Sequence, residues 1–316
     1  MAVKHLWILI IGLFYLIGFA APATARLQVV TTTEDLASLT HEVGGDKVEV
    51  NAIAKGYQDP HFVDPKPIYL IKLHKADLLI AVGLDMEAGW LPSLVQQSRN
   101  SSLFGQGDGY LDASVGCMIL ERLTGQVTRA MGDEHPLGNP HYWLDPLNGR
   151  IIAARIAAKL SALDPSSSDY FQSRLTDFNQ RLQTALQRWG KQMAPYRGVK
   201  IVTYHNSWPN FVQRYGFQVV GYVEPKPGIP PSPSHTLDLI QQVKAQVIKI
   251  ILVEPYFELR IPQKVARDSG AQVVLLMPSV GGNKQVEDYF SLFDYNLATL
   301  EQAFRDTGVT PPAEGQ

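Results

Sequence analysis

The segment "SSSDYFQSRLTDFNQRLQTALQRW", residues 166–189, contains no glycine or proline. Its apolar residues recur at alternating intervals of four and three, which predicts a helix with one apolar face. At 1.5 Å per residue the helix would span roughly 36 Å, about one domain diameter, so it can connect two lobes by itself. A surface helix of the first lobe would show the same period. The apolar positions are Phe171, Leu175, Phe178, Leu182, Ala185 and Trp189.

Both flanks of this helix have the pattern of parallel α/β domains. Apolar runs rich in β-branched residues alternate with amphipathic stretches before residue 130 and again after residue 199. We predict an α/β fold of two (β/α) lobes with parallel sheets, residues 26–164 and 191–316, joined by a linking helix at 165–190. The runs are "LQVVTT" from 27, "VEVNAI" from 48, "DLLIAVG" from 77, "VKIVTYH" from 199, "FQVVGYV" from 217, "VIKIILVE" from 247 and "AQVVLL" from 271.

Residues 1–25 have the features of a secretory signal peptide. Lys4 and His5 precede the apolar run "LWILIIGLFYLIGFAA", and "ATA" at 23–25 supplies small residues for cleavage. A retained membrane anchor is the alternative, but this run is shorter than the roughly 20 residues that a span needs. No cysteine follows the run, which argues against a lipid anchor. We predict an exported protein cleaved near Ala25.

The charge and cysteine content exclude several classes of function. The chain has a formal net charge of −2 and no basic block, so we do not expect nucleic acid as a partner. Cys117 is the single cysteine, so no disulfide forms within the chain. Its apolar neighbours predict a buried small hydrophobic residue and not a reactive thiol.

Three histidines lie at rigid breaks between predicted elements. His61 in "QDPHFVDP" and His141 in "GNPHYWLDP" are framed by prolines, which restrict the backbone and give each imidazole a fixed direction. His205 directly follows the strand "VKIVTY", and Glu254 ends "VIKIILVE". Parallel α/β sheets bind ligands at the carboxyl ends of their strands, so these two residues should share one crevice wall.

Three imidazoles and one carboxylate suit a zinc ion. Spacings of 80 and 64 residues between the three histidines exclude a zinc finger or an "HExxH" helix, so the ligands would come from both lobes. His41 and His74 lie on helical patterns beside charged residues and are predicted at the surface. His235 near a helix start is predicted to be structural, and the role of His135 stays open.

The motifs "DPHFVDPKP", "GNPHYWLDP" and "VTYHNSWPNF", in this order around the long helix, resemble a known family. They are similar to the extracytoplasmic zinc- and manganese-binding proteins of ABC importers, called cluster A-I. The similarity extends from "TTTEDLASLTHEVGGDKVEV" to "YFSLFDYNLATL". The resemblance implies a rigid helix between the lobes, with His61, His141 and His205 holding an ion at their interface. It also implies an inner-membrane ABC permease as partner, and we expect a monomer.

The fourth ligand position departs from the family pattern. Many members have an aspartate after the last strand, where this chain has Met277 in "LLMPSVGG". We predict Glu254 as the fourth ligand, with Asp59 or a water molecule as the alternatives. The histidine-rich loop of some zinc-binding members is absent, and Glu134 and His135 are its only possible remnant.

The ligand set also bears on the metal and the function. Manganese-specific members combine two histidines with two carboxylates, so three nitrogens favour Zn²⁺ over Mn²⁺. We predict a carrier that captures zinc and delivers it to an ABC importer, and not an enzyme. The alternatives are a manganese carrier, a surface adhesin of the same family, or a secreted zinc hydrolase with Glu254 as general base. No nucleophile-elbow or oxyanion-hole motif supports the hydrolase.

Overall fold

The computed structural model describes residues 26–104, 107–123 and 135–309. The predicted signal peptide, residues 1–25, and Glu134 lie outside these ranges. Within them, no helix combines the length and the apolar character needed to cross a membrane.

The first lobe is built on a parallel sheet of four described strands. Their order across the sheet is β2-β1-β3-β4, and Val29 of β1 lies opposite both Val50 and Leu78. Strand β3 is buried along its whole length, as expected for a parallel sheet covered on both faces. The strands are β1 (Leu27–Thr31), β2 (Val48–Ala52), β3 (Leu78–Ala81) and β4 (Tyr110–Asp112), and the helices are α1 (Glu34–Gly44), α2 (Pro67–Lys75), α3 (Leu91–Ser98) and α4 (Pro146–Leu163).

The second lobe repeats this topology. Its described strands are also parallel and have the order β6-β5-β7-β8, the same arrangement as in the first sheet. The predicted fold of two parallel α/β lobes is therefore confirmed. The strands are β5 (Lys200–Thr203), β6 (Gln218–Tyr222), β7 (Ile250–Val253) and β8 (Gln272–Leu275). The helices are α6 (Pro209–Tyr215), α7 (Pro233–Ala245), α8 (Arg260–Ser269) and α9 (Tyr289–Asp306).

A helix of 26 residues, α5 (Ser168–Met193), lies between the two sheets in sequence. Of its predicted apolar face, all residues except Leu175 are buried, and Leu175 packs partly buried against the same core. The helix packs on α1 and α4 of the first lobe and on α9 of the second. The ring of Trp189 lies 5.0 Å from that of Phe293 on α9. Helix α5 thus contacts both lobes along its apolar face.

Buried hydrogen bonds also join the lobes directly. The indole of Trp143 donates to the carbonyl of Pro278 at 2.9 Å. The Asp35 carboxylate on α1 accepts from the Ser279 hydroxyl and, at 3.0 Å, from the Val280 N–H. One continuous apolar core includes residues of both sheets. Opening the lobes widely around α5 would have to break these contacts.

Candidate metal centre

Three imidazoles meet between the lobes. One ring nitrogen from each of His61, His141 and His205 lies within 4.8 Å of the other two. The ring centroid of His61 is 5.2 Å from that of His141 and 5.6 Å from that of His205, and the latter two are 5.5 Å apart. Tetrahedral zinc, with Zn–N near 2.0–2.1 Å, holds its nitrogens about 3.3 Å apart, so small side-chain rotations would complete such a triangle.

His61 and His141 are oriented by the same local device. In "DPH" the Asp59 Oδ1 accepts from the His61 N–H at 3.0 Å and lies 2.7 Å from its ring Nδ1. In "NPH" the Asn139 Oδ1 contacts the corresponding two nitrogens of His141, each at 3.0 Å. In both motifs, proline separates the oxygen-bearing residue from the histidine. The backbone and ring of each histidine are therefore fixed together.

The rest of the "GNPHYWLDP" motif anchors His141 to both lobes. A short 3-10 turn, Tyr142–Leu144, follows the histidine, and Asp145 then caps α4 by accepting from the Leu147 N–H at 2.9 Å. The Asp145 carboxylate also pairs with Arg214 on α6 through two hydrogen bonds, at 2.8 and 2.7 Å. The prolines, the cap and this ion pair together hold the His141 imidazole in a rigid turn.

His205 comes from the second lobe and is oriented over a longer range in sequence. It follows β5, and its Nδ1 is hydrogen-bonded to Glu224, which follows the neighbouring strand β6. His205 and Glu224 are both buried, with 8% and 5% of their surface exposed to solvent. Glu224 was missed by the sequence analysis. Its position just after a strand was the available signal, because parallel strands end at one edge of the sheet.

In all three residues an oxygen acceptor occupies Nδ1, so the proton is assigned to Nδ1 and the Nε2 lone pair is left for a ligand. The Nε2 atoms of His61 and His141 are buried and have no hydrogen-bond partner among the described residues. Buried polar atoms without a partner are uncommon in folded proteins. Together, the orientation and the unmet nitrogens indicate an electrophilic ligand such as a metal ion.

The histidines differ in their affinity for protons. Burial lowers the pKa of His141 well below 6.5, and the nearby rings of His61 and His205 lower it further. Burial acts to lower the pKa of His205, but the hydrogen bond and charge of Glu224, together with the charges of Glu254 and Asp59, outweigh it, and the net pKa is raised. His141 is therefore neutral and ready to coordinate, whereas a proton competes for His205.

His135, whose role the sequence left open, lies beside this group. Its ring centroid is 5.3 Å from that of His61, its Nδ1 lies 2.9 Å from the Leu84 carbonyl, and its buried Nε2 has no hydrogen-bond partner among the described residues. Burial lowers its pKa to about 4. It does not belong to the three-nitrogen group defined above. A fourth neutral imidazole is thus held next to the centre.

The predicted fourth ligand, Glu254, also lies outside the three-nitrogen group. It is fully buried, and its Oε1 accepts from the Trp208 indole at 2.9 Å. Its Oε2 has no hydrogen-bond partner among the described residues, and burial raises its pKa to about 7. The ligation of a metal by Glu254 stays a prediction.

Met277, at the position where many family members have an aspartate, is buried in the apolar core. Its backbone N–H donates to the Asn296 side chain at 2.9 Å, and its carbonyl accepts from the Asn296 amide at 2.7 Å.

The imidazoles of His135, His141 and His205 open onto a cavity of about 200 Å³, which Asn139 and Glu121 also line. Pockets for organic ligands usually measure about 300–1,000 Å³. The cavity has room for an ion and a few water molecules. A two-lobed α/β protein with such a cavity between its lobes belongs, by its fold and site, to the class of binding proteins for small inorganic ligands.

The family model described as "ZnuA: Zinc-uptake complex component A periplasmic" matches residues 29–303, and the chain belongs to this family. The resemblance to the metal-binding proteins of ABC importers is therefore confirmed. Among curated proteins, the manganese ABC transporter substrate-binding lipoprotein PsaA of Streptococcus pneumoniae is 28% identical over 286 residues, covering 88% of each chain. The metal ABC transporter substrate-binding lipoprotein FimA of Streptococcus parasanguinis is 27% identical, covering 90% of this chain and 91% of its own.

Solved structures share the fold over most of the chain. The zinc-bound structure of a ZnuA variant lacking residues 138–173 is 25% identical, with a TM-score of 0.74, and covers 91% of this chain and 100% of its own. A manganese-bound periplasmic metal-binding protein of Candidatus Liberibacter asiaticus is 19% identical with a TM-score of 0.72, covering 88% and 99%. The latter likeness concerns the fold alone.

Proposed function

We propose that this chain is the extracytoplasmic binding protein of an ABC-type metal importer, and that it captures one Zn²⁺ through His61, His141 and His205. The observation that carries the proposal is the meeting of three imidazoles from both lobes, each with its Nδ1 held by an acceptor. Such second contacts fix the tautomer and raise the basicity of a ligating histidine. Family membership and the metal-transport names of the relatives support the carrier role.

The choice of zinc rests on the donor atoms. The relatives include carriers named for manganese and a zinc-bound structure, so their names do not separate the two metals. Mn²⁺ prefers oxygen ligands, whereas imidazole suits Zn²⁺. Among the described residues, the group of possible metal ligands consists of three histidines and includes no carboxylate. Asp59, a possible fourth ligand by sequence, instead supports the ring of His61. Manganese remains the second candidate.

A carrier fits the site better than a zinc hydrolase does. Hydrolysis needs a substrate pocket beside the metal, and the cavity here measures about 200 Å³. Glu254, the general base in that alternative, is fully buried, bonds the Trp208 indole, and is not among the residues lining the cavity. These features favour the binding and release of an ion.

We further propose that the chain acts as a free monomer in the periplasm and that its partner is the importer's permease. The apolar run before residue 22 and the small residues at 23–25 support cleavage near Ala25. The relatives PsaA and FimA are named as lipoproteins. A lipid anchor would need a cysteine near the cleavage site, and the single cysteine of this sequence is Cys117.

Titration of the metal-stripped chain, residues 26–316, tests this function. We expect one zinc per chain, bound tighter than about micromolar, and at least about tenfold tighter than manganese because the donors are nitrogens. Saturating zinc at about 100 times Kd should stabilise the folded state by about 2.7 kcal/mol, which calorimetry detects as a higher melting temperature. Absence of binding at micromolar zinc would refute the carrier. Equal or tighter binding of manganese would refute the zinc assignment.

A further inference from the structure

Glu121, at the mouth of the metal cavity, has an unusual backbone conformation. Its φ is +56°, in the left-handed region that residues with a side chain rarely adopt. The neighbouring segments are held together, because the Asn139 N–H donates to the Leu120 carbonyl at 2.9 Å and the Leu123 N–H donates to the Pro136 carbonyl at 3.2 Å. Unfavourable backbone of this kind persists where surrounding contacts impose it, often at ligand sites.

The side chain of Glu121 connects the two lobes. Its Oε2 accepts from the Asn139 amide at 3.1 Å and from the Asn206 amide at 2.8 Å. Asn139 belongs to the first lobe and orients His141, whereas Asn206 directly follows His205 in the second. The Asn139 amide also donates to the Asn206 carbonyl at 2.8 Å. One carboxylate oxygen therefore binds the segment that carries His141 and the segment that carries His205.

Glu121 also lies where the metal cavity meets solvent. It is solvent-exposed and lines the same cavity as His135, His141 and His205. Its hydrogen bonds use a charged acceptor, which makes them stronger than bonds between neutral groups. Separating the lobes at this edge to release an ion would require these bonds to break.

We propose that Glu121 is a positioning residue that clasps the two lobes across the mouth of the cavity and thereby sets the rate at which the bound ion leaves. The proposal rests on the metal-carrier function proposed above. Glu121 joins Asn139, which orients His141, to Asn206, which follows His205 in the chain. Its loss should therefore act on dissociation and leave the number of bound ions unchanged, since the three imidazoles remain.

The test is stopped-flow release of zinc from residues 26–316 into excess chelator. We expect Glu121→Ala to release zinc about tenfold faster than the parent, and Glu121→Gln about threefold faster, because the neutral amide oxygen still accepts but more weakly. Association should change by less than about twofold, and calorimetry should still give one zinc per chain. The exposed Glu287→Gln, away from the cavity lining, is the matched control and should behave as the parent.

Glu121→Gly distinguishes the effect of losing the carboxylate from the effect of the positive φ at this position. Glycine adopts positive φ without cost, so it relieves the backbone while removing the same side chain as alanine. Equal, fast release from the Ala and Gly variants supports the clasp. Release at the parent rate from either variant overturns it, as does equally fast release from Glu287→Gln. Because zinc still binds in those outcomes, they leave the carrier function intact, whereas a parent that binds no zinc refutes the function itself.

Discussion

Replacing His141 with alanine is expected to weaken zinc binding by about two to three powers of ten. Structural zinc sites bind with about 10–16 kcal/mol, so each of four ligands accounts for roughly 3 kcal/mol. His141 is buried, neutral and held by Asn139, so little reorganisation precedes its coordination. The dissociation constant, measured by competition with a chelating dye near pH 7.5, checks the expectation.

Two further variants give this measurement its scale. His74→Ala removes an imidazole bonded to the Ser98 carbonyl at 2.9 Å, outside the three-nitrogen group, and should leave affinity unchanged. Glu254→Gln keeps the shape of a buried residue whose Oε1 already accepts from Trp208. We expect it to cost less than His141→Ala. A loss as large as that of His141→Ala would identify Glu254 as a direct ligand, and unchanged zinc affinity in His141→Ala would refute the site.

The local parts of the centre could be predicted from the sequence. His61 and His141 stand two residues after Asp59 and Asn139, so the histidine and the oxygen that orients it lie within one rigid tripeptide. His205 could be placed because it ends a strand pattern, and the ends of parallel strands share one edge. The long helix could be predicted because its apolar period runs over many turns without a break.

The long-range parts could not be predicted, for physical reasons. Glu224 reaches His205 because β6 lies beside β5, and periodicity does not reveal which strands are neighbours. Strand β7 is buried along its whole length, so its apolar run gave no alternation to indicate where Glu254 would point. The repeated strand order of the two sheets was also invisible, because the repeat lies in topology and not in side chains. His135 joins the site through contacts with a distant turn at Leu84.

The pairing of His205 with Glu224 leads to a specific dependence of zinc affinity on pH. A free imidazole has a pKa near 6.5, so zinc affinity would ordinarily weaken only below about pH 6. Burial opposes the charge on His205, but Glu224, with smaller contributions from Glu254 and Asp59, outweighs burial, and the pKa of His205 lies above 6.5. This proton must leave when the ring coordinates zinc. Below that raised pKa, affinity should fall about tenfold per pH unit, so the decline begins at higher pH than for an ordinary histidine.

Glu224→Gln should change both the strength of binding and its pH profile. Near pH 8, where protons compete less for His205 than they do near pH 6, loss of the carboxylate should weaken zinc binding about 10- to 100-fold, because the imidazole is less basic and less firmly oriented. The same loss removes the strongest of the groups that raise the pKa of His205 and so lowers that pKa, and protons compete less as the solution is acidified. The affinity difference between parent and variant should therefore shrink between about pH 8 and about pH 6. Dissociation constants at both pH values test this, with Glu287→Gln expected to follow the parent throughout. Identical pH profiles for parent and Glu224→Gln would show that Glu224 does not control the proton on His205.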